Sequence, residues 1–313
     1  MKLHQLRYAI EIADNNYNVS EAADGMFTSQ PGVSKQVRLL EDELGVPIFA
    51  RDGKRLVGLT TPGRKILHRA RQVFREIDNI TRIGQQYANA DIGSFTIATS
   101  HTQARYVLPS VIQRFLQRYP KVNLIIKQGY PEEIVNLVVD GKADIAIATE
   151  GVINRNELIS LPSYQWHRCL LVPKKHELLR KFTAKKRKKI QLEDISNYPI
   201  ITYDVAFAGQ EEVLKVFEQA GINPNIVITA LDSDVIKTYV EMNLGIGLIA
   251  NTAFEPDKDK AFGLIDVSHL FKPNTTWIGV SRGGFVRNYV YDFIEMFAPH
   301  LKKKSIMASL NAE

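Results

Sequence analysis

The chain of 313 residues contains a single cysteine, Cys169. One thiol excludes an intrachain disulfide and a zinc cluster built on thiolates. The residue lies in the apolar run CLLV, which predicts a buried strand position and not a nucleophile. No uninterrupted apolar stretch reaches the roughly eighteen residues that a membrane helix needs. The amino terminus carries charges every few residues and lacks a hydrophobic signal region, so we expect a cytoplasmic protein without a membrane partner.

The sequence also lacks the common motifs of enzymes. Its seven histidines form no HExxH pattern, and GxSxG, P-loop and paired acidic motifs are missing. His101, beside Thr102, is the best acid–base candidate, but neither a nucleophile nor a carboxylate can be assigned to it from the sequence. We therefore expect no enzymatic activity, no catalytic residue, no metal site and no cofactor.

The composition, 45% hydrophobic and 24% charged, is that of a globular protein with two or more domains. The net charge of +6 is concentrated in two basic segments, residues 51–75 and 174–190. The second includes the Lys-rich stretch 185–189, for which a solvated surface turn is the simpler interpretation. The first adjoins a helical pattern, and this context favours nucleic acid as its partner.

The first 45 residues predict three helices. Asn18 is placed to cap the second helix, and Thr28 or Ser29 to cap the third. Pro31 lies in the first turn of the third helix, where its missing N–H costs nothing, and Gly45 ends that helix. Two short helices joined by a tight turn form a helix-turn-helix pattern.

The outward face of the third helix has the side chains that read DNA. Glutamine pairs with adenine, and lysine or arginine with guanine or phosphate. An ordinary three-helix surface with polar residues outside is the alternative on these spacings alone. The predicted DNA-reading residues are Gln30, Ser34, Lys35 and Arg38.

The next segment, FARDGKRLVGLT, favours the DNA-binding alternative. Its Asp52-Gly53 pair between two short extended runs predicts a β-hairpin, or wing. The hairpin would present Arg51, Lys54 and Arg55 to a phosphate backbone.

A long helix is predicted from Thr61, with apolar residues at alternating spacings of four and three. These positions form a heptad seam over about three heptads, typical of helices that pair. A helix packed on its own domain is the alternative, but the preceding residues offer little core to cover so long a stripe. The seam consists of Ile66, Ala70, Val73, Ile77, Ile80, Gly84 and Tyr87.

From Gly93 the pattern alternates between strands and helices. Two successive sets predict two α/β lobes, each with a parallel sheet, and a ligand cleft between them beyond the carboxyl ends of the strands. A periplasmic solute-binding protein would share this part of the pattern but has no use for the first 90 residues.

The run NVSEAADGMFTSQPGVSKQVRLLEDELGVPIFAR resembles the LysR-type transcriptional regulators. The resemblance covers nearly the whole chain and implies an α/β protein with a winged helix-turn-helix and a two-lobed, periplasmic-binding-protein-like effector domain. It implies a DNA-binding domain at 1–60, a linker (dimerisation) helix at 61–90 and an effector domain at 91–313. Lobe I is expected at about 91–162 and 267–313, and lobe II at about 163–266, with crossings near Ser163 and Asp266.

HTQARYVLP, GKADIAIATE, DVIKTYV and YDFIEMFAPHL are similar to the branch that activates sulfate assimilation and cysteine biosynthesis. That resemblance implies N-acetylserine or O-acetylserine as effector, with sulfate or thiosulfate also able to enter the cleft. A paralogue that controls sulfonate or sulfate-ester use is the alternative. The partners implied are double-stranded promoter DNA, further copies of the chain in a dimer or tetramer, and RNA polymerase.

The family's effector contacts map onto five residues, with Ser100 standing where relatives have threonine. Their hydroxyls and nearby helix N–H groups would hold a small anion without a neighbouring cation. Thr202 is also an ordinary strand former. The five residues are Ser100, Thr102, Gln103, Trp166 and Thr202.

Overall fold

A computed structural model describes residues 1–53, 55–88, 91–153, 155–182, 189–205 and 209–311. The chain forms two compact units, Met1–Arg82 and Ile83–Glu313. Lys54 and most of the Lys-rich stretch lie outside the described residues. Across the described part of the chain, no helix combines the length and the apolar character needed to span a bilayer.

The first unit is a winged helix-turn-helix, as predicted. Asn18 and Ser29 cap the second and third helices with their side chains, and Gly45 ends the third in a left-handed conformation. Gly53, also left-handed, turns the wing. The elements are α1 (Leu3–Asp14), α2 (Val19–Gly25), α3 (Gln30–Leu44), β1 (Phe49–Asp52), β2 (Arg55–Leu59) and α4 (Thr61–Ala88).

Helix α4 belongs partly to the core of the first unit. Leu67 and Ala70 are buried against α1 and α3 residues, and Ile66 packs on the same cluster. Further along, Val73 is 41% exposed and Ile80 68% exposed. Packing on its own domain therefore accounts for the start of the predicted seam, and the remainder presents apolar side chains to solvent.

The second unit contains two five-stranded sheets, one in each lobe. Lobe I has the strand order β4-β3-β5-β12-β6, and lobe II the order β11-β7-β10-β8-β9. Lobe I consists of β3 (Gly93–Thr99), a π-helical turn (Gln103–Val107), α5 (Leu108–Arg118), β4 (Val122–Gln128), α6 (Pro131–Val139), β5 (Ile145–Ala148), β6 (Leu158–Trp166), β12 (Asn274–Ser281), α11 (Asn288–Phe297) and α12 (Lys303–Asn311). Lobe II consists of β7 (Arg168–Pro173), α7 (Glu177–Lys181), α8 (Leu192–Ser196), β8 (Ile200–Tyr203), α9 (Gln210–Gln219), β9 (Ile226–Ala230), α10 (Ser233–Glu241), β10 (Ile246–Ala250) and β11 (Phe262–Asp266).

The sheets are mixed and not parallel throughout. Strand β12 runs antiparallel to β5 and β6, and β7 runs antiparallel to β10 and β11. These antiparallel pairs include the strands on either side of the two passages between lobes. Such strands are not joined to their neighbours by a βαβ crossover, so they need not run parallel to them.

Strand β6 was not anticipated, because Pro162 interrupts the run LISLPSYQW, and a proline within a run weakens the strand signal. The strand remains paired to β12 as far as Trp166. Strand β7 of lobe II begins at Arg168, so the chain passes between the lobes at His167, close to the expected position near Ser163. On the return, Val267 and Phe271 still pack in the lobe II core, so the second crossing also comes later than Asp266.

Candidate DNA interface and effector cleft

The outward face of α3 and the start of the wing border one groove. Its lining includes Gln30, Ser34, Lys35, Arg38 and Arg51. The opposite face of α3 is buried through Val33, Val37 and Leu40, which fixes the orientation of the polar face. The structure thus brings together five of the seven residues predicted to bind DNA.

Within this groove some polar side chains are held by hydrogen bonds to other residues, and others are exposed to solvent. Gln30 Nε2 donates a hydrogen bond to Ser34 Oγ at 3.1 Å, which orients the glutamine amide at the amino-terminal end of α3. Lys35 and Arg38 are exposed. Arg55 is exposed on β2, outside the groove lining, and Lys54 lies outside the described residues.

Arg51 has a structural bond that the sequence did not reveal. Its Nη2 donates to Glu41 Oε2 at 2.8 Å, and Glu41 Oε1 accepts hydrogen bonds from the backbone N–H groups of Ile48 and Phe49. The Glu41 side chain is 11% exposed. Glu41 therefore connects α3 to the wing through hydrogen bonds. Its carboxylate also neutralises part of the Arg51 charge in the protein without DNA.

We expect Glu41→Ala to lower the free energy of unfolding of the first unit by about 1–3 kcal/mol, because two backbone donors lose a charged acceptor. Urea unfolding followed by circular dichroism measures this loss. Asp42→Ala is the matched control, since Asp42 is exposed on the same helix. Equal loss from both substitutions would contradict a fastening role for Glu41.

The second candidate site is a cleft between the two lobes, lined by residues of both. Four of the five predicted effector residues line it. Ser100 and Thr102 follow the carboxyl end of β3, Gln103 begins the π-helical turn, and Trp166 ends β6. The cleft thus lies at strand ends, where open α/β sheets place their ligands.

The cleft side chains form a hydrogen-bonded wall. Gln103 is 5% exposed, its Nε2 donates to Thr276 Oγ1 at 3.2 Å, and its Oε1 accepts from the Tyr164 hydroxyl at 2.7 Å. Trp166 Nε1 donates to Thr149 Oγ1 at 3.2 Å. These bonds fix the amide and indole orientations before a ligand binds.

Thr202 is placed differently from the prediction. Its side chain is fully buried within lobe II and does not line the cleft. Its hydroxyl donates to the Leu248 carbonyl at 3.0 Å and lies 3.1 Å from Gln210 Oε1. Alternation along β8 turns Thr202 inward, and its neighbour Tyr203 faces the cleft instead.

Several cleft residues were missed by sequence reasoning. Thr149 and Glu150 line the cleft directly after β5. The signal for them was present, since they follow a buried strand as Ser100 does. Glu150 also accepts a hydrogen bond from the Gly209 backbone N–H in lobe II, which no sequence pattern indicates.

A cation lies close to the cleft, contrary to the prediction of a site without one. Arg168 is 1% exposed, and its guanidinium is 5.9 Å from the ring centroids of both Trp166 and Tyr203. Burial lowers the pKa of Arg168 to about 10, which leaves it charged at neutral pH. Trp166 and Tyr203 both line the cleft, so this positive charge lies next to the cleft wall, and the nearby Glu150 carboxylate, which lines the cleft, offsets part of it.

His101 has a carboxylate neighbour that the sequence did not identify. Its Nε2 lies 2.9 Å from Asp234 Oδ2, and its Nδ1 lies 3.1 Å from Gln128 Oε1. Both ring nitrogens are thus engaged by side chains, so neither is directed at a nucleophile. Asp232 joins this group within 4.8 Å, a spacing that a metal could use, but His101 and Asp234 are already committed to protein hydrogen bonds.

Two family models match the chain. The model of the LysR substrate binding domain covers residues 88–302, and that of the bacterial regulatory helix-turn-helix protein, lysR family, covers residues 3–64.

Similar proteins cover the chain from end to end. The HTH-type transcriptional regulator CysB of Burkholderia cenocepacia is 47% identical over 313 residues, 100% of this chain and 98% of that protein. SsuR of the same organism is 44% identical over 310 residues, 99% of each chain. The crystal structure of the cofactor-binding domain of the Cbl transcriptional regulator has a TM-score of 0.66 at 40% identity, covering 71% of this chain and 95% of that one. The chain belongs to the LysR family and is a DNA-binding transcriptional regulator, not an enzyme.

Proposed function

We propose that this regulator activates genes of sulfate assimilation and cysteine biosynthesis in response to a small molecule bound in the cleft. The observation that carries the proposal is the 47% identity to a CysB over the whole chain, together with a cleft built from hydroxyls, an amide and an indole. The proposal includes a cytoplasmic location and a contact with RNA polymerase, because a promoter-bound activator requires both.

The proposed effector is N-acetylserine or O-acetylserine, and sulfate or thiosulfate can occupy the same polar wall. The hydroxyls of Ser100 and Thr102 and the Gln103 amide suit the carboxylate or acyl oxygens of such a ligand. Trp166 offers an apolar face, and the Arg168 guanidinium, 5.9 Å from the centre of the Trp166 ring, favours negative charge. Thr202 is left out of the proposed contacts because its hydroxyl is bonded to Leu248.

Control of sulfonate or sulfate-ester use is the second candidate function. It is supported by the 44% identity to SsuR, which covers almost the whole of both chains. The cleft chemistry does not separate the two, because each effector would be a small polar anion.

Sequencing the genomic fragments retained by the full-length protein tests the proposal. Enrichment of sulfate-uptake and cysteine-synthesis promoters would support the first function. Enrichment of sulfonate or sulfate-ester genes alone would transfer the assignment to the second. Fragments unrelated to sulfur would overturn both and leave family membership unaffected.

For the DNA interface we propose a division between base and phosphate contacts. Gln30, Ser34 and Arg38 read bases or orient α3, and Lys35 contacts either a base or phosphate. Arg55 and Lys54 contact phosphate from the wing. Arg51 has a mixed role, since Glu41 already binds its guanidinium.

We expect Arg38→Ala to weaken binding to the preferred site by about 1–3 kcal/mol and to change base preference. We expect Arg55→Ala to weaken all sequences alike and to reduce the slope of log K against log salt by about one unit. Fluorescence anisotropy at several salt concentrations, on preferred and scrambled DNA, separates the two outcomes. Equal loss of specificity from both substitutions would contradict the division.

A further inference from the structure

The π-helical turn Gln103–Val107 carries side chains to two places at once. Gln103 enters the cleft, whereas Tyr106, three residues later, reaches across to lobe II. Tyr106 packs against the lobe II core cluster that includes Leu171, Ile201 and Ile236. A π-turn holds an extra residue compared with an α-turn, and such turns often occur at functional positions.

The Tyr106 hydroxyl is bonded on both sides by residues of α10. It donates to Asp234 Oδ1, and it accepts from Lys237 Nζ at 3.1 Å. Lys237 Nζ also lies 4.7 Å from the centre of the Tyr106 ring. Burial, and then the bond to Asp234, raise the pKa of Tyr106, so the hydroxyl keeps its proton and remains a donor.

Lys237 is held in turn by its own lobe. Its Nζ donates to Asp259 Oδ2 at 2.6 Å, and both side chains are about 10% exposed. The same Asp259 oxygen accepts from the Glu255 backbone N–H. Because a buried ion pair that loses a partner is costly, Lys237 has a fixed position from which it meets Tyr106.

Two more contacts between the lobes flank this tyrosine. His101 lies 2.9 Å from Asp234 Oδ2, and Arg105 Nη1 lies 3.6 Å from Glu255 Oε2. The four side chains are 30–43% exposed, and solvent screening reduces the energy of ion pairs that are exposed to this extent. The Tyr106 hydroxyl is partly buried and hydrogen-bonded to two residues of lobe II, so we expect it to have the largest energetic effect of the three contacts.

We infer that Tyr106, Asp234 and Lys237 form a latch that holds the two lobes in the arrangement described here. Since Gln103 lies on the same π-turn, a ligand that repositions the Gln103 amide acts directly on the latch. Tyr106 is thus a positioning residue between the cleft and the lobe junction. The inference goes beyond the proposed function, because it holds for any cleft ligand and is tested without one.

The test is hydrogen exchange, followed by mass spectrometry, on the full-length protein without ligand. In Tyr106→Phe, which keeps the ring over Lys237, we expect about 10-fold faster exchange in peptides covering 101–108 and 232–240. Core strands β5 and β10 should exchange as in the wild type. Tyr239→Phe is the matched control, because Tyr239 lies on α10 and its hydroxyl makes no hydrogen bond with the described residues.

A double-variant cycle with Asp234→Ala sharpens the test. If the hydroxyl and the carboxylate act through each other, Tyr106→Phe combined with Asp234→Ala should accelerate exchange no more than the stronger single variant. Unchanged exchange in both peptides would overturn the latch. So would equal acceleration in β5 and β10, which would indicate general destabilisation, and so would an equal effect from Tyr239→Phe.

Discussion

Ile80→Glu should lower affinity for promoter DNA on the order of 100-fold, because it would break the predicted pairing of α4 helices through which two copies bind two half-sites together. Ile80 is 68% exposed in the single chain, as is expected of an apolar side chain that a second copy covers. A carboxylate in that seam would be desolvated without a partner. The prediction rests on the heptad seam of α4 and on the dimer or tetramer that the family resemblance implies.

The measurements are sedimentation at micromolar concentration and anisotropy with a fragment that the wild type retains. Thr81→Glu is the control, because it adds the same carboxylate one residue along the exposed surface of α4, outside the seam. A variant that sediments as the wild type does and binds DNA equally well would show that α4 does not form the interface.

Thr102→Val should weaken effector binding by about 10- to 100-fold, since it removes a hydroxyl that faces the cleft and would bond to a charged ligand. DNA affinity without ligand should remain that of the wild type. Calorimetric titration of N-acetylserine, O-acetylserine, sulfate and thiosulfate measures the first effect, and anisotropy with each ligand present measures the second.

Thr202→Val is the comparison for this variant. It removes a buried hydroxyl bonded to the Leu248 carbonyl, so we expect a loss of stability of about 1 kcal/mol and little change in ligand affinity. A large loss of ligand affinity in Thr202→Val, with Thr102→Val unaffected, would contradict the contacts proposed here. If none of the four ligands bound to the wild type, the proposed effector would be wrong, and the DNA-binding function would be unaffected.

The local elements of the DNA-binding unit could be predicted because their signals lie within a few residues of one another. Asn18 and Ser29 cap their helices through hydrogen bonds that span two or three residues, and Gly45 and Gly53 adopt the left-handed conformation that ends a helix or turns a hairpin. Strand β6 was not predicted because Pro162 weakens the local strand signal. It forms by pairing with β12, a distant part of the chain, with one irregularity in the register.

The sequence alone determined the family, the winged helix-turn-helix, the long helix and the strand ends at which a ligand cleft forms. These follow from periodicity, caps and motifs, which depend on near neighbours in the chain. The tertiary structure alone decided that Glu41 binds Arg51, that Thr202 turns inward and that the Arg168 guanidinium lies beside the Trp166 ring. It also joined Tyr106 to Asp234, residues separated by 128 positions. Contacts of that kind depend on how two lobes pack, and no local pattern encodes the partner of a buried polar group.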